Sequence, residues 1–232
     1  MRGVNRKTLN QADVESVYSS LMEQLKLRID EIGFRLASAK EHKNSFESLM
    51  ELEFCYLQLR KICELLALAI LAAHGQSDKF LSKNLWKSWS AEDLLLSLRK
   101  LNPHAFPLPV NILQDHSGPG MHHIKPSNNA VLLNDIVAVY RECGNQLHVG
   151  SLRRLTGGKR QVFDHRKIIS HVNAFVRLLG THMILLPEIN SVMVVVLKHS
   201  DDGKVRCVFA AADGPFIVDD NLQPFRFEIA EK

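Results

Sequence analysis

Close cysteine pairs, long apolar runs and the fingerprints of common nucleotide- and metal-using enzymes are all missing from this chain. The four cysteines, Cys55, Cys63, Cys143 and Cys207, include no C-x-x-C pair, which argues against a zinc ribbon or a thiol-redox centre. Cys55, Cys63 and Cys143 fall inside apolar helical patterns and read as buried free thiols of a reducing compartment. The longest apolar run, residues 65–73, is nine residues long, well short of the roughly 20 needed to cross a bilayer. The first ten residues are polar and basic with no apolar stretch behind them, so no secretory leader is expected and the chain reads as soluble and cytoplasmic. There is no nucleophile elbow, Walker loop, dinucleotide fingerprint or paired metal motif. Gly157-Gly158-Lys159 lacks the spacing and the preceding strand of a phosphate loop. A cofactor-dependent or small-molecule hydrolase is therefore disfavoured, and neither cofactor nor metal is expected.

What is present is enough apolar material for a full core: 232 residues, 46% of them hydrophobic and 23% charged, with a net charge of +4. That size fits one large domain or a domain with an appendage. The mild basicity permits an acidic partner such as RNA without requiring one.

Periodicity organises the chain into helices followed by strands. Val14, Val17, Tyr18, Leu21, Leu25, Ile29, Ile32 and Leu36 recur at helical spacing, predicting a first helix over 11–39. Asn44 or Ser45 is placed to cap a second helix that runs to about His74, with Gly75 as its stop. The second half of that helix is apolar all round, as expected of a central helix or a subunit interface. Ser90 and Asp93 open a third helix over 91–101. Residues 102–129 then carry five prolines and read as a long irregular connection with a short strand near Val110. His104, His116, His122 and His123 in this stretch either lie exposed in the loop or hold a metal, but no helical His pair supports a metal. A helix is expected over 134–149 and a last one over 164–186, capped by Asp164 and closed by Pro187. Beyond it, 191–197 and 205–211 flank Asp201-Asp202-Gly203, a hairpin signal, and Phe225, Phe227 and Ile229 alternate as a third strand. The expected division is a helical bundle over 1–187 with a small antiparallel β-meander over 188–232.

Arg141 and His148 are seven residues apart, about two helical turns, so a guanidinium and an imidazole fall on one helix face with Gly144 between them. Such a pair suits phosphodiester chemistry. Arg60 and Glu64, at i, i+4 in the second helix, read either as an ion pair at the bundle's edge or as a partly buried pair that orients a site. Similar Arg/His spacing recurs at Arg35 with His42, Arg99 with His104, Arg160 with His165, Arg166 with His171 and Arg177 with His182, so spacing by itself selects nothing.

Two blocks, residues 57–65 (Leu57-Gln58-Leu59-Arg60-Lys61-Ile62-Cys63-Glu64-Leu65) and 140–148 (Tyr140-Arg141-Glu142-Cys143-Gly144-Asn145-Gln146-Leu147-His148), together with Pro107-Leu108-Pro109-Val110, resemble prokaryotic HEPN-like helical proteins of an uncharacterised branch. The resemblance covers roughly 46–180 and implies a mainly α, HEPN-like bundle with its core over 46–186. It further implies a dimer and, in many members, a metal-independent RNase with an Arg-x4-6-His motif. That motif maps onto Arg141 and His148, with Glu142 at the polar position after the arginine; Gly150 and Ser151 depart from the Asn-Pro that often follows the histidine. On this basis His148 would move protons, Arg141 would hold phosphate, and Glu142, Asn145, Arg60 and Glu64 would assist. Arg153, Arg154, Lys159 and Arg160 would gather the RNA backbone. The expected function is RNA cleavage or RNA binding, in a defence or toxin setting. The competing reading gives His148 and Arg141 inert helix-end and ion-pairing roles, in a non-catalytic homodimeric module whose C-terminal strands bind a protein partner.

Overall fold

A computed structural model of the chain describes residues 8–42, 45–114, 122–127, 131–148 and 163–211. Two long helices, α1 (Gln11–Glu41) and α2 (Phe46–Ala73), form an antiparallel hairpin. Asn10 and Ser45 cap them by accepting the backbone N–H groups of Asp13 and Ser48 at 2.8 and 3.1 Å, satisfying donors that a helix start leaves without partners. Helix α2 packs against α1 and against later helices: Leu59, Ile62, Cys63, Leu66 and Ile70 are all at or near zero exposure, while Leu68, in the half that is apolar all round, stays 42% exposed. The short α3 (Lys83–Lys87) leads into α4 (Ala91–Leu101), opened as expected by Ser90. Helices α5 (Leu133–Leu147) and α6 (His165–Leu179) follow among the described residues, and Asp164 caps α6 through two backbone N–H groups.

The chain is mainly α with an antiparallel β-meander toward its C-terminal end, as expected, and the sheet extends beyond that meander. Strands β1 (Leu108–Gln114), β2 (His122–Pro126), β3 (Thr181–Leu186), β4 (Ser191–Val196) and β5 (Arg206–Ala211) form one antiparallel sheet in the order β2-β1-β3-β4-β5. The 102–129 connection thus supplies a hairpin that joins the C-terminal meander, and the expected boundary at 187 falls between two hydrogen-bonded neighbours. The last helix also stops earlier than expected, at Leu179 rather than 186. Strand β3 is central and buried on both faces, so its residues show no period-two alternation and extend the apolar pattern of the helix before it. Gly180 marks the break. The third strand expected at 225–229 lies outside the described residues.

Alternate residues of the sheet point to opposite sides. Ile184, Leu186, Met193 and Val195 join the main core, while Met183, Leu185, Val194 and Val110 form a second, smaller cluster on the other face. The β4–β5 hairpin turns through Gly203 at φ +68°, where a side chain would be strained. No described helix is long and apolar enough to cross a membrane.

Candidate functional site

Helix α5 lies between α2, α4 and α6 and carries the motif residues up to Leu147, with His148 just past its end, but it turns them toward different neighbours. Tyr140 and Cys143 are buried against the core. Arg141 projects toward α4, where its Nε donates to Glu92 Oε2 at 3.0 Å and a terminal nitrogen donates to Glu92 Oε1. This two-pronged pairing holds the Glu92 carboxyl below its usual range and pushes the Arg141 guanidinium up. The Arg141 side chain is nonetheless 62% exposed. The acid that Arg141 meets is thus Glu92, in the first turn of α4, while Glu64 belongs to Arg60 (Nε–Oε1 3.4 Å) and to Lys61 (2.7 Å).

His148 is the C-terminal capping residue of α5 (φ −82°, ψ 128°) and is exposed. The helix ends one residue before it, two short of the expected end at 149. From Arg141 to His148 the helix rises about 10 Å, a distance that one phosphodiester with its flanking sugars spans. Asn145 is exposed one turn before His148. Gly150, Ser151, Arg153, Arg154, Lys159 and Arg160 lie outside the described residues.

Gly144 serves a different purpose from an open cleft floor. A side-chain carbon there would meet an Arg60 terminal nitrogen at 2.9 Å, so the notch is filled by the Arg60 guanidinium. That group stacks over the Tyr140 ring at 4.3 Å and donates to the Tyr140 hydroxyl at 2.8 Å. Arg60, Glu64, Tyr140 and Gly144 therefore lock α2 to α5.

Glu142 turns away from Arg141 into a second polar group. Lys167 and His171 of α6 approach its Oε2 at 2.8 and 3.2 Å, and the Tyr56 hydroxyl of α2 donates to Oε1 at 3.5 Å. Burial first, and the nearby Glu142 charge second, push the Tyr56 hydroxyl upward. Glu142 thus ties three helices together. Neither Glu92 nor this Lys167/His171 pairing was visible in the sequence, since both are contacts between elements distant along the chain. Lys167 and His171, four residues apart on one helix face, were the only local sign.

Two further histidines, His182 and His74, are buried in the fold. His182 is fully buried: its Nδ1 donates to the Leu179 carbonyl at 2.9 Å, and its Nε2 accepts from the Tyr18 hydroxyl at 2.6 Å. A carbonyl can only accept, which fixes this tautomer. Burial pushes His182 down to about 4 and the Tyr18 hydroxyl well up. His74 is buried against the Phe80 ring at 4.6 Å and is also pushed down to about 4, by burial. No described group of three or more His, Cys, Asp or Glu residues has the arrangement to hold a metal; His116 lies outside the described residues. Cys55, Cys63 and Cys143 are free and buried, their thiols pushed upward by that burial, two of them to about 12, which makes them poor nucleophiles.

Compared with protein-family models, with curated proteins and with solved structures, the chain matches none.

Proposed function

We propose that the exposed face of α5 binds single phosphodiester groups of RNA and cleaves them without a metal. The observation that carries this reading is the shared exposure of Arg141, in the middle of α5, and His148, at its C-terminal cap seven residues on. It is supported by the HEPN-like pattern of residues 57–65 and 140–148. Arg141 holds the phosphate once the phosphate displaces Glu92, and its planar fork of donors matches two phosphate oxygens. The His148 imidazole takes the proton of the 2′-hydroxyl. The 2′-oxygen then attacks phosphorus, the bond from phosphorus to the 5′-oxygen breaks, and that oxygen takes a proton from solvent water while His148 returns its own to solvent. The products are a 2′,3′-cyclic phosphate and a 5′-hydroxyl end. Glu142, Arg60 and Glu64 contribute by holding α5 in place rather than by touching RNA.

The test is incubation of the purified chain with a mixed RNA pool in chelator, beside His148→Ala and Arg141→Ala. Cleavage by the unaltered chain that is lost in both variants, each with an unchanged unfolding transition, supports the reading. Intact RNA with a folded chain overturns it.

A second reading, a non-catalytic module that binds a protein through its strands, draws on the exposed Ile112, Leu113 and Val208 side chains of β1 and β5. Their replacement by serine would then abolish partner capture or self-association and leave RNA untouched.

A further inference from the structure

Helix α3 and the turn that follows it carry two exposed tryptophans that no described part of the fold covers. Trp89 is 82% exposed and Trp86 is 45% exposed. Large aromatic rings are costly to leave in water, and most of the tryptophan in a folded chain is buried. Trp89 is also not on a loose tip. Leu85 before it and Ala91 and Leu94 after it are anchored in the core, and Ser90 caps α4 through the Asp93 backbone N–H at 3.3 Å. Both sides of Trp89 are therefore fixed, and the ring is held outward.

Trp89 stands three residues from Glu92, whose carboxylate grips Arg141. Three residues of chain span at most about 10 Å between Cα atoms, which puts the backbone at Trp89 close to that of the residue that holds Arg141. Lys83 and Lys87, on α3 beside Trp86, are exposed. Asp93 is the exposed carboxylate of the same turn and disfavours phosphate at that point.

We infer that Trp89, flanked by Trp86, is a stacking platform for an unpaired base of single-stranded RNA whose adjoining phosphate is held by Arg141. This rests on the RNA reading of the α5 face and narrows its substrate class. A flat ring accepts any base whose face is open, whereas the bases of a duplex are already stacked on one another. The inference thus predicts selection for unpaired RNA with little sequence preference.

The chain contains two tryptophans, both in this segment, so its intrinsic tryptophan emission reports on this surface alone. The experiment titrates the His148→Ala chain with a short single-stranded oligouridine and, separately, with a duplex RNA of equal length. Saturable quenching by the single strand and none by the duplex is expected. Trp89→Ala should weaken binding of the labelled oligouridine about five- to a hundredfold, the range found for removal of one base–aromatic stack. Trp89→Phe should recover part of that loss. Oligouridine that binds without quenching, and equally well to Trp89→Ala, overturns the platform and leaves the RNA reading standing. Quenching with no cleavage by the unaltered chain supports the platform and removes the nuclease. No binding of either RNA overturns both. Emission that follows protein concentration alone, with loss of self-association in Trp89→Ala, would mark Trp89 as a protein contact and also overturns the inference.

Discussion

His182 lies fully buried where α1 meets the sheet, with Tyr18 on one ring nitrogen and the Leu179 carbonyl on the other. His148 stands exposed at the end of α5. Both have an arginine a few residues before them, so the sequence spacing ranks them alike. What separates them is water and saturation: His182 has spent both nitrogens and titrates well below its ordinary range, while His148 keeps an imidazole open to a ligand. An imidazole does chemistry only where a substrate can reach a nitrogen that the fold has not already used. The largest effect that sharpens this contrast is on activity. His148→Ala should lower RNA cleavage by roughly 10² to 10⁴, the usual contribution of a positioned acid–base group, with no change in the unfolding midpoint. Loss of stability in place of loss of cleavage would break the contrast.

The buried side of the comparison predicts a pH dependence. His182 and His74 titrate at about 4 in the folded chain against 6.5 as the ordinary value. Between those values the unfolded chain binds protons that the folded chain refuses, so stability falls as pH drops through this window and is fully present above 6.5. The loss is on the order of 3 kcal/mol per imidazole once complete. Urea unfolding followed across that range measures it. Replacing Tyr18 and His182 together by phenylalanine and leucine should remove about half of the slope, and an unchanged slope would show that His182 is not the sensor.

Tyr18→Phe alone gives a smaller effect of the same kind. It deletes the hydroxyl that donates to His182 and leaves a buried ring nitrogen without a partner, at a cost of about 1–3 kcal/mol. The change should appear in the denaturation midpoint, with the slope against denaturant unaltered. A neutral substitution would mean that the hydroxyl contributes little to holding α1 on the sheet.

How much of this was legible in the sequence follows the range of the forces involved. Helix existence and caps are local, so Ser45, Ser90 and Asp164 marked their helices correctly, and Asp202-Gly203 marked the hairpin. Strand β3 escaped because a strand covered on both faces carries no alternation, and its apolar run continues that of α6. The β1–β2 hairpin was only half visible, its strand residues being scattered among prolines. At the candidate site the motif residues were legible and their partners were not. Gly144 signalled a close approach, but only the packing of α2 on α5 shows that Arg60 is what approaches. Likewise Glu142 was grouped with Arg141 by adjacency, although neighbours on a helix point about 100° apart and these two serve different helices.

The smallest predicted effect tests whether the open face of α5 is held in reserve by its own acid. Glu92 occupies the same two donor directions on Arg141 that a phosphate would need, so ligand and carboxylate compete. The pair is exposed, water screens it, and such pairs contribute little to stability. Glu92→Gln should therefore leave the unfolding midpoint nearly unchanged while releasing the guanidinium, raising affinity for single-stranded RNA about two- to fivefold. Added salt should shrink the gap between variant and unaltered chain, because it weakens the internal pair and the phosphate contact together. If Glu92→Gln instead weakens RNA binding, the carboxylate is orienting Arg141 toward its ligand rather than competing for it. Arg141 would then be positioned by its partner, as His182 is by Tyr18.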